Sequence, residues 1–249
     1  MNRKAIFDSV GQQVPGIWNK PGTVAAMDKL LDLAGIPTVV PAALPLPLVV
    51  GAAPSPDFGG AKPVNEIRIT AQMAAEIVGH EAIVLEAYRD SEGVWTWGIG
   101  VTDASGHSVM LYKDAPSTIE KVLQIYIWLL ETVYAPAVRK EFAGCMMTDA
   151  EFTAALSFHY NTGAILRTEW TDLAKAGKRK AARDFLESHY LNGGDLTERR
   201  KKEAALFFDG KWSGDGKTTV WPVKKPSYRP DWGNGKRIDI LTPLKALLP

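Results

Sequence analysis

Residues 79–100 read GHEAIVLEAYRDSEGVWTWGIG. A core helix running into a core strand has no use for Glu81, Asp90 and Thr96, because charged and hydroxyl groups in a core must each find a partner. Upstream, TAQMAAEIVGHEA begins with Thr70 as a helix cap and sets Met73, Ile77 and Ile83 at helical spacing. Downstream, VWTWGIGVT has period-two character and glycines, which predicts a strand or hairpin. The three polar residues therefore fall at a helix end, at a turn and on a strand, and such a corner can bring them to one cleft wall.

Glycoside hydrolysis needs one carboxylic acid to protonate the leaving oxygen and usually a second carboxylate across the scissile bond. Glu81 has apolar sequence neighbours in Ile77, Val84 and Trp95, the setting of a general acid. Asp90 stands at the start of a polar turn with Gly93, a setting that suits an ionised carboxylate. Thr96 offers a hydroxyl able to hold a water. Glu86 and Glu92 are read as solvated.

With those residues in view, the stretch resembles the phage-type lysozymes, the endolysin muramidases that cut bacterial peptidoglycan. That family carries a Glu, eight residues, an Asp, five residues, a Thr and then Gly-x-Gly, and here E-AIVLEAYR-D-SEGVW-T-WGIG matches each position. A second block, AALSFHYNTG, is similar to the family's helix ending in Phe-x-x-Asn-x-Gly, which implies that Asn161 faces the cleft. A third, LTERRKKEAALFFDGKW, resembles the closing Arg-Arg-x-x-Glu helix, which implies that Arg199 lies beside the catalytic Glu and helps bind substrate. Two departures stand out: Val101 replaces the usual His after Gly-x-Gly, with His107 six residues later, and Ala82 replaces the usual Gly after the Glu. The resemblance covers about residues 66–212.

The resemblance implies an α+β fold, with a small β-hairpin lobe and a larger helical lobe built around residues 119–134. It implies a muramidase that cleaves the β-1,4 bond between N-acetylmuramic acid and N-acetylglucosamine. Glu81, Asp90 and Thr96 would carry the chemistry without cofactor or metal. Such a protein is made in the cytoplasm of a bacterial host and acts on the wall in the periplasm, either released at lysis or carried on a particle. Two rivals are a non-catalytic peptidoglycan-binding module of a virion or secretion machine, and a chitin-cleaving enzyme on the same scaffold. The intact Glu81, Asp90 and Thr96 argue against the first.

The rest of the chain sets limits. Its 249 residues carry a net charge of +1, which offers no general case for nucleic acid. Cys145 has no partner for an internal disulfide, and no Cys/His cluster points to zinc. Residues 1–36 read as two short helices too small to bury a core, and so as a module that docks on a partner or the wall. Leu33 to Pro56 contains no charge, but Pro37, Pro41, Pro45, Pro47, Pro54 and Pro56 argue for a stiff linker over residues 37–64 rather than a membrane span. Residues 65–212 form the expected catalytic domain. From Lys211 onward there are eight Lys/Arg against three Asp, with Trp212, Trp221, Tyr228 and Trp232, so residues 213–249 are set apart as a basic, aromatic extension. Either it is a solvated wrap over the domain or it leans on an anionic polymer.

Overall fold

Val64 is fully enclosed, and the chain joins its hydrophobic core there, just after β1 (Lys62–Pro63) pairs with Met146–Met147. In this computed structural model residues 60–248 are described, so the two expected N-terminal helices and nearly all of the Pro/Ala segment lie outside the described residues. Thr70 accepts the Met73 N–H at 3.3 Å and starts α1 (Ala71–Val78), as its capping chemistry predicts. Met73, Ala74, Ile77 and Val78 are buried along it. The helix stops at Gly79, and Glu81 follows in a last turn closed by its own N–H donating to Val78 at 2.9 Å.

The chain then forms an antiparallel sheet of β2 (Val84–Arg89), β3 (Trp95–Gly98) and β4 (Val101–Thr102). Tyr88 pairs with Thr96, and Trp97 with Val101. The turn from β3 to β4 holds Gly98 and Gly100 at φ of +65° and +68°, a conformation that side chains resist. Trp97 locks the sheet to its cover: it stacks on Tyr112 at 3.7 Å and donates from Nε1 to the Leu85 carbonyl at 3.0 Å.

The helical lobe comprises α2 (Ile119–Leu129), a wide turn at Leu130–Tyr134, and α3 (Ala135–Glu141). After β5 (Met146–Met147) come α4 (Asp149–Thr162), α5 (Glu169–Lys175), α6 (Arg179–Ser188) and α7 (Thr197–Asp209). The apolar run 119–134 predicts a buried central helix, and the structure corrects this. Trp128 and Val133 are each 44% exposed, so α2 and its continuation present one face outward. The central helix is α4, where every residue from Ala150 to Phe158 is buried. Its small residues let neighbouring helices approach from several sides, and its polar ones are satisfied: Thr153 donates to the Asp149 carbonyl at 2.6 Å, and Ser157 to Glu203 at 2.7 Å.

Beyond α7 the chain folds back over the corner as β6 (Lys217–Val220), β7 (Val223–Lys224), β8 (Arg229–Pro230), β9 (Lys236–Asp239) and α8 (Leu241–Leu247). Strand β6 pairs with β9, and β7 with β8. Ile83 donates to the Thr219 carbonyl at 3.1 Å and accepts from Trp221 at 2.8 Å, so the segment after Glu81 has a strand from far along the chain beside it. Glu76, 3% exposed, accepts from Ser213 N and Oγ and from Gly214 N at 2.6–3.1 Å. Helix α8 lies on α1 with Ile240 and Leu244 fully buried.

The central helix offers a clean test. Thr148 Oγ1 accepts from Glu151 N at 3.2 Å while Thr148 N donates to the Glu151 carboxylate at 2.8 Å, the reciprocal cap that a Thr followed three residues later by a Glu can form. Thr148→Ala is expected to lower stability by about 1 kcal/mol. The melting temperature should fall by roughly 3 °C. An unchanged thermal melt would mean that α4 does not depend on its cap.

Candidate active site

Glu81 follows the end of α1, and its side chain is 21% exposed. Its sequence neighbours suggest apolar surroundings, and the structure corrects that: Arg199 of α7 donates from a terminal nitrogen to Glu81 Oε1 at 2.6 Å. Among the described residues Oε2 has no hydrogen-bond partner, which leaves that oxygen free for a ligand. Trp95, also named among those neighbours, has charged and aromatic company of its own. It packs under the Arg89 guanidinium at 4.6 Å and edge-on to Tyr228 at 5.2 Å.

Arg199 is almost fully buried, and its donors are all turned to protein. Besides Glu81 it reaches Glu203 Oε1 at 3.0 Å and the Ser157 carbonyl at 3.2 Å. Burial works against its charge, but Glu81 and Glu203 outweigh that and raise its pKa. The guanidinium is thus shared among Glu81, Glu203 and the Ser157 carbonyl, beside the Glu that the resemblance implied. Next to it Arg200, fully buried, donates to Asn161 Oδ1 at 2.6 Å and lies 2.9 Å from Glu203 without hydrogen-bond alignment. Asn161 thereby sits half-buried at the end of α4, its amide oriented by that arginine.

Asp90 closes the turn between β2 and β3. Its Oδ1 accepts from Val94 N at 2.8 Å and Glu92 N at 3.0 Å. Its Oδ2 lies 3.3 Å from the Thr96 hydroxyl, which also approaches the Val94 carbonyl at 3.2 Å. Asp90 and Thr96 thus stand within hydrogen-bond reach of each other, with Thr96 only 3% exposed. The Tyr88 hydroxyl links the two halves electrostatically: burial first, then the Glu81 and Asp90 carboxylates, raise its pKa. Both carboxylates therefore act on one phenol.

Residues not singled out in the sequence complete the arrangement. Ser157 and Glu203 brace Arg199, and Glu203 belongs to the Arg-Arg-x-x-Glu block, the one signal that could have found it. Glu86 was expected to be solvated and is not. It is 14% exposed, accepts from Asp114 N at 3.0 Å, and is ion-paired with Lys225 of the folded-back segment. Glu92 is exposed as expected. His107, displaced from its familiar position, bonds Tyr112 at 2.9 Å and packs against Trp97, which braces the sheet.

The phage lysozyme family profile matches residues 78–203, and the chain belongs to that family. Among solved structures it resembles the endolysin from Escherichia coli O157:H7 phage FAHEc1, at 25% identity and a TM-score of 0.52 over 59% of this chain and 98% of that one. It also resembles a mutant P22 lysozyme, at 22% identity and a TM-score of 0.46 over 57% and 98% of the respective chains. A third is the muramidase domain of SpmX from Asticaccaulis excentricus, at 21% identity and a TM-score of 0.46 over 56% and 97%. No curated protein matches the chain in sequence. The chain is accordingly a muramidase-type peptidoglycan hydrolase with the lysozyme-like α+β fold, and its substrate is the bacterial cell wall. Among the described residues no helix is long and apolar enough to cross a membrane.

The histidines near the site give a pH dependence. Burial, then Arg199, Lys202 and Arg200, hold the His80 pKa down to about 3, so its 3.7 Å approach to Glu76 is no ion pair near neutral pH. Burial and then Arg167 hold His159 down to about 4. In the unfolded chain each returns towards 6.5. Between about pH 6.5 and 4 the unfolded chain therefore binds protons that the folded one refuses, and stability falls as pH drops through that window. Melting temperatures across pH 4–7 should decline towards acid, and His80→Gln should flatten the slope. An equally steep slope in that variant would remove His80 from the account.

Proposed function

We propose that the enzyme hydrolyses the β-1,4 bond between N-acetylmuramic acid and N-acetylglucosamine, in the manner of a phage-encoded lysozyme that brings about cell-wall lysis. The observation that carries this is the corner itself. One carboxylate, Glu81, is fixed by a buried guanidinium on Oε1 and open at Oε2, and another, Asp90, is held by a turn beside the Thr96 hydroxyl. In this reading a proton on Oε2 of Glu81 passes to the glycosidic oxygen as the bond breaks. Asp90, held in place by two backbone N–H donors, steadies the positive charge developing on the sugar. With Thr96 it orients the attacking water. Arg199 serves as a positioning residue that stops Glu81 from swinging away, and Asn161 meets the substrate from the helical lobe.

Glu81→Gln keeps the shape and removes the transferable proton. Lytic activity is expected to fall by roughly two to four orders of magnitude, the usual worth of general acid catalysis. Muropeptides from digested wall, read by mass spectrometry, identify the bond cut by the wild type. Near-normal turnover by a folded Glu81→Gln protein would sink the assignment.

Asp90 and Thr96 should act as one unit. The double variant Asp90→Asn, Thr96→Ala is expected to lose far less activity than the product of the single losses. Strictly multiplicative losses would put the two side chains on separate steps.

A further inference from the structure

A pocket of about 580 Å³ opens beside Glu81, between the corner and the segment that folds back over it. Its wall on the corner side is the turn that carries Glu81, and its far wall carries Lys217, Trp221, Trp232 and Arg237, with Lys202 contributed by α7. Most of this far wall lies outside residues 78–203, so the shared family region does not build it. The volume is that of a site for a small ligand. The chemistry of the lining is specific. Lys202 and Lys217 are exposed, and among the described residues neither ammonium has a hydrogen-bonded or ion-paired carboxylate. Arg237 is shared with Asp215 at 2.6 Å, which holds that carboxyl below its ordinary range, and Glu81 is already taken up by Arg199. The pocket thus carries positive charge in excess of its acids. Trp232 is 59% exposed and meets Trp221 edge-on at 5.2 Å, adding an apolar platform to the charges.

The wall is also built rather than draped. Glu76 anchors it at Ser213 and Gly214, and a Cβ at Gly214 would lie 3.0 Å from the Glu76 carboxylate. Gly235 lets the backbone press on Trp221, since a Cβ there would lie 2.5 Å from Cζ3 of that ring. A site held this firmly loses little on binding.

We propose that this pocket is an added subsite for the peptide stem of peptidoglycan, its cations holding the free carboxylates of the stem and its tryptophans the methyl-bearing residues between them. The proposal rests on the muramidase reading. A glycan strand laid past Glu81 carries its stems outward from the muramic acid units, and the pocket begins at Glu81. Free carboxylates alternating with small apolar groups match a lining of exposed ammonium groups around an aromatic platform.

The test compares the wild type with Lys202→Gln, Lys217→Gln and with Trp232→Ala, on peptidoglycan bearing its stems and on glycan strands stripped of them by an amidase. Removing the two charges is expected to raise KM on stem-bearing substrate about tenfold, equivalent to about 1.4 kcal/mol, with kcat unchanged. Neither constant should move on stripped strands. An equal rise on both substrates would assign the pocket to the glycan and overturn the proposal, and so would no change on either. Binding of an N-acetylmuramyl pentapeptide, read by tryptophan fluorescence, should weaken about tenfold in the double variant at an unaltered melting temperature. Trp232→Ala should weaken the same binding. This binding arm needs no catalysis. If the wild type cuts nothing, the muramidase reading fails, and the fragment alone decides the subsite.

Discussion

Everything around Glu81 depends on where the Arg199 guanidinium sits. It joins a residue at the end of the first helix to Glu203 in its own helix and to the Ser157 carbonyl of the central one. Removing one partner of a buried ion pair costs about 3–5 kcal/mol, since the charge left behind has no water to receive it. Here two carboxylates would be left behind, Glu81 and the 1% exposed Glu203, the second with Arg200 still close to it. The same contacts that fix the carboxylate also clasp three helices together, so the geometry of the site and the stability of the lobe come from one side chain.

The second constraint is the return of the chain over the corner. Strand β6 lies beside Ile83, Lys225 covers Glu86, and the Tyr228 carbonyl accepts from Arg89 at 2.7 Å. The small sheet has only three strands, a size that gains from an outside cover. Its stacked Trp97 and Tyr112 secure the inner face, while the returning segment secures the edge that Ile83 and Arg89 would otherwise leave open.

The corner was legible because Glu81, Asp90, Thr96 and the glycines of the hairpin all lie within one short stretch, at the spacing that carries the resemblance. Caps were legible for the same reason: Thr70 and Thr148 act on neighbours three residues away. What the sequence hid were partners brought from afar. The apolar surroundings inferred for Glu81 gave way to an arginine 118 positions along the chain, and Glu76 finds its donors 137 positions away. Helix α2 misled because its apolar residues run all round, while the central α4 owes its place to small residues whose hydropathy is unremarkable.

The Glu76 anchor also bears on how the molecule comes into being. Ser213 and Gly214, which satisfy that carboxylate, and Thr219 and Trp221, which pair with Ile83, emerge from the ribosome more than a hundred residues after the groups they serve. Until then a nascent chain leaves the Glu76 carboxyl without those donors and an open edge at its proposed catalytic corner. An unfinished polypeptide that stops short of Ser213 therefore lacks the far wall of the pocket.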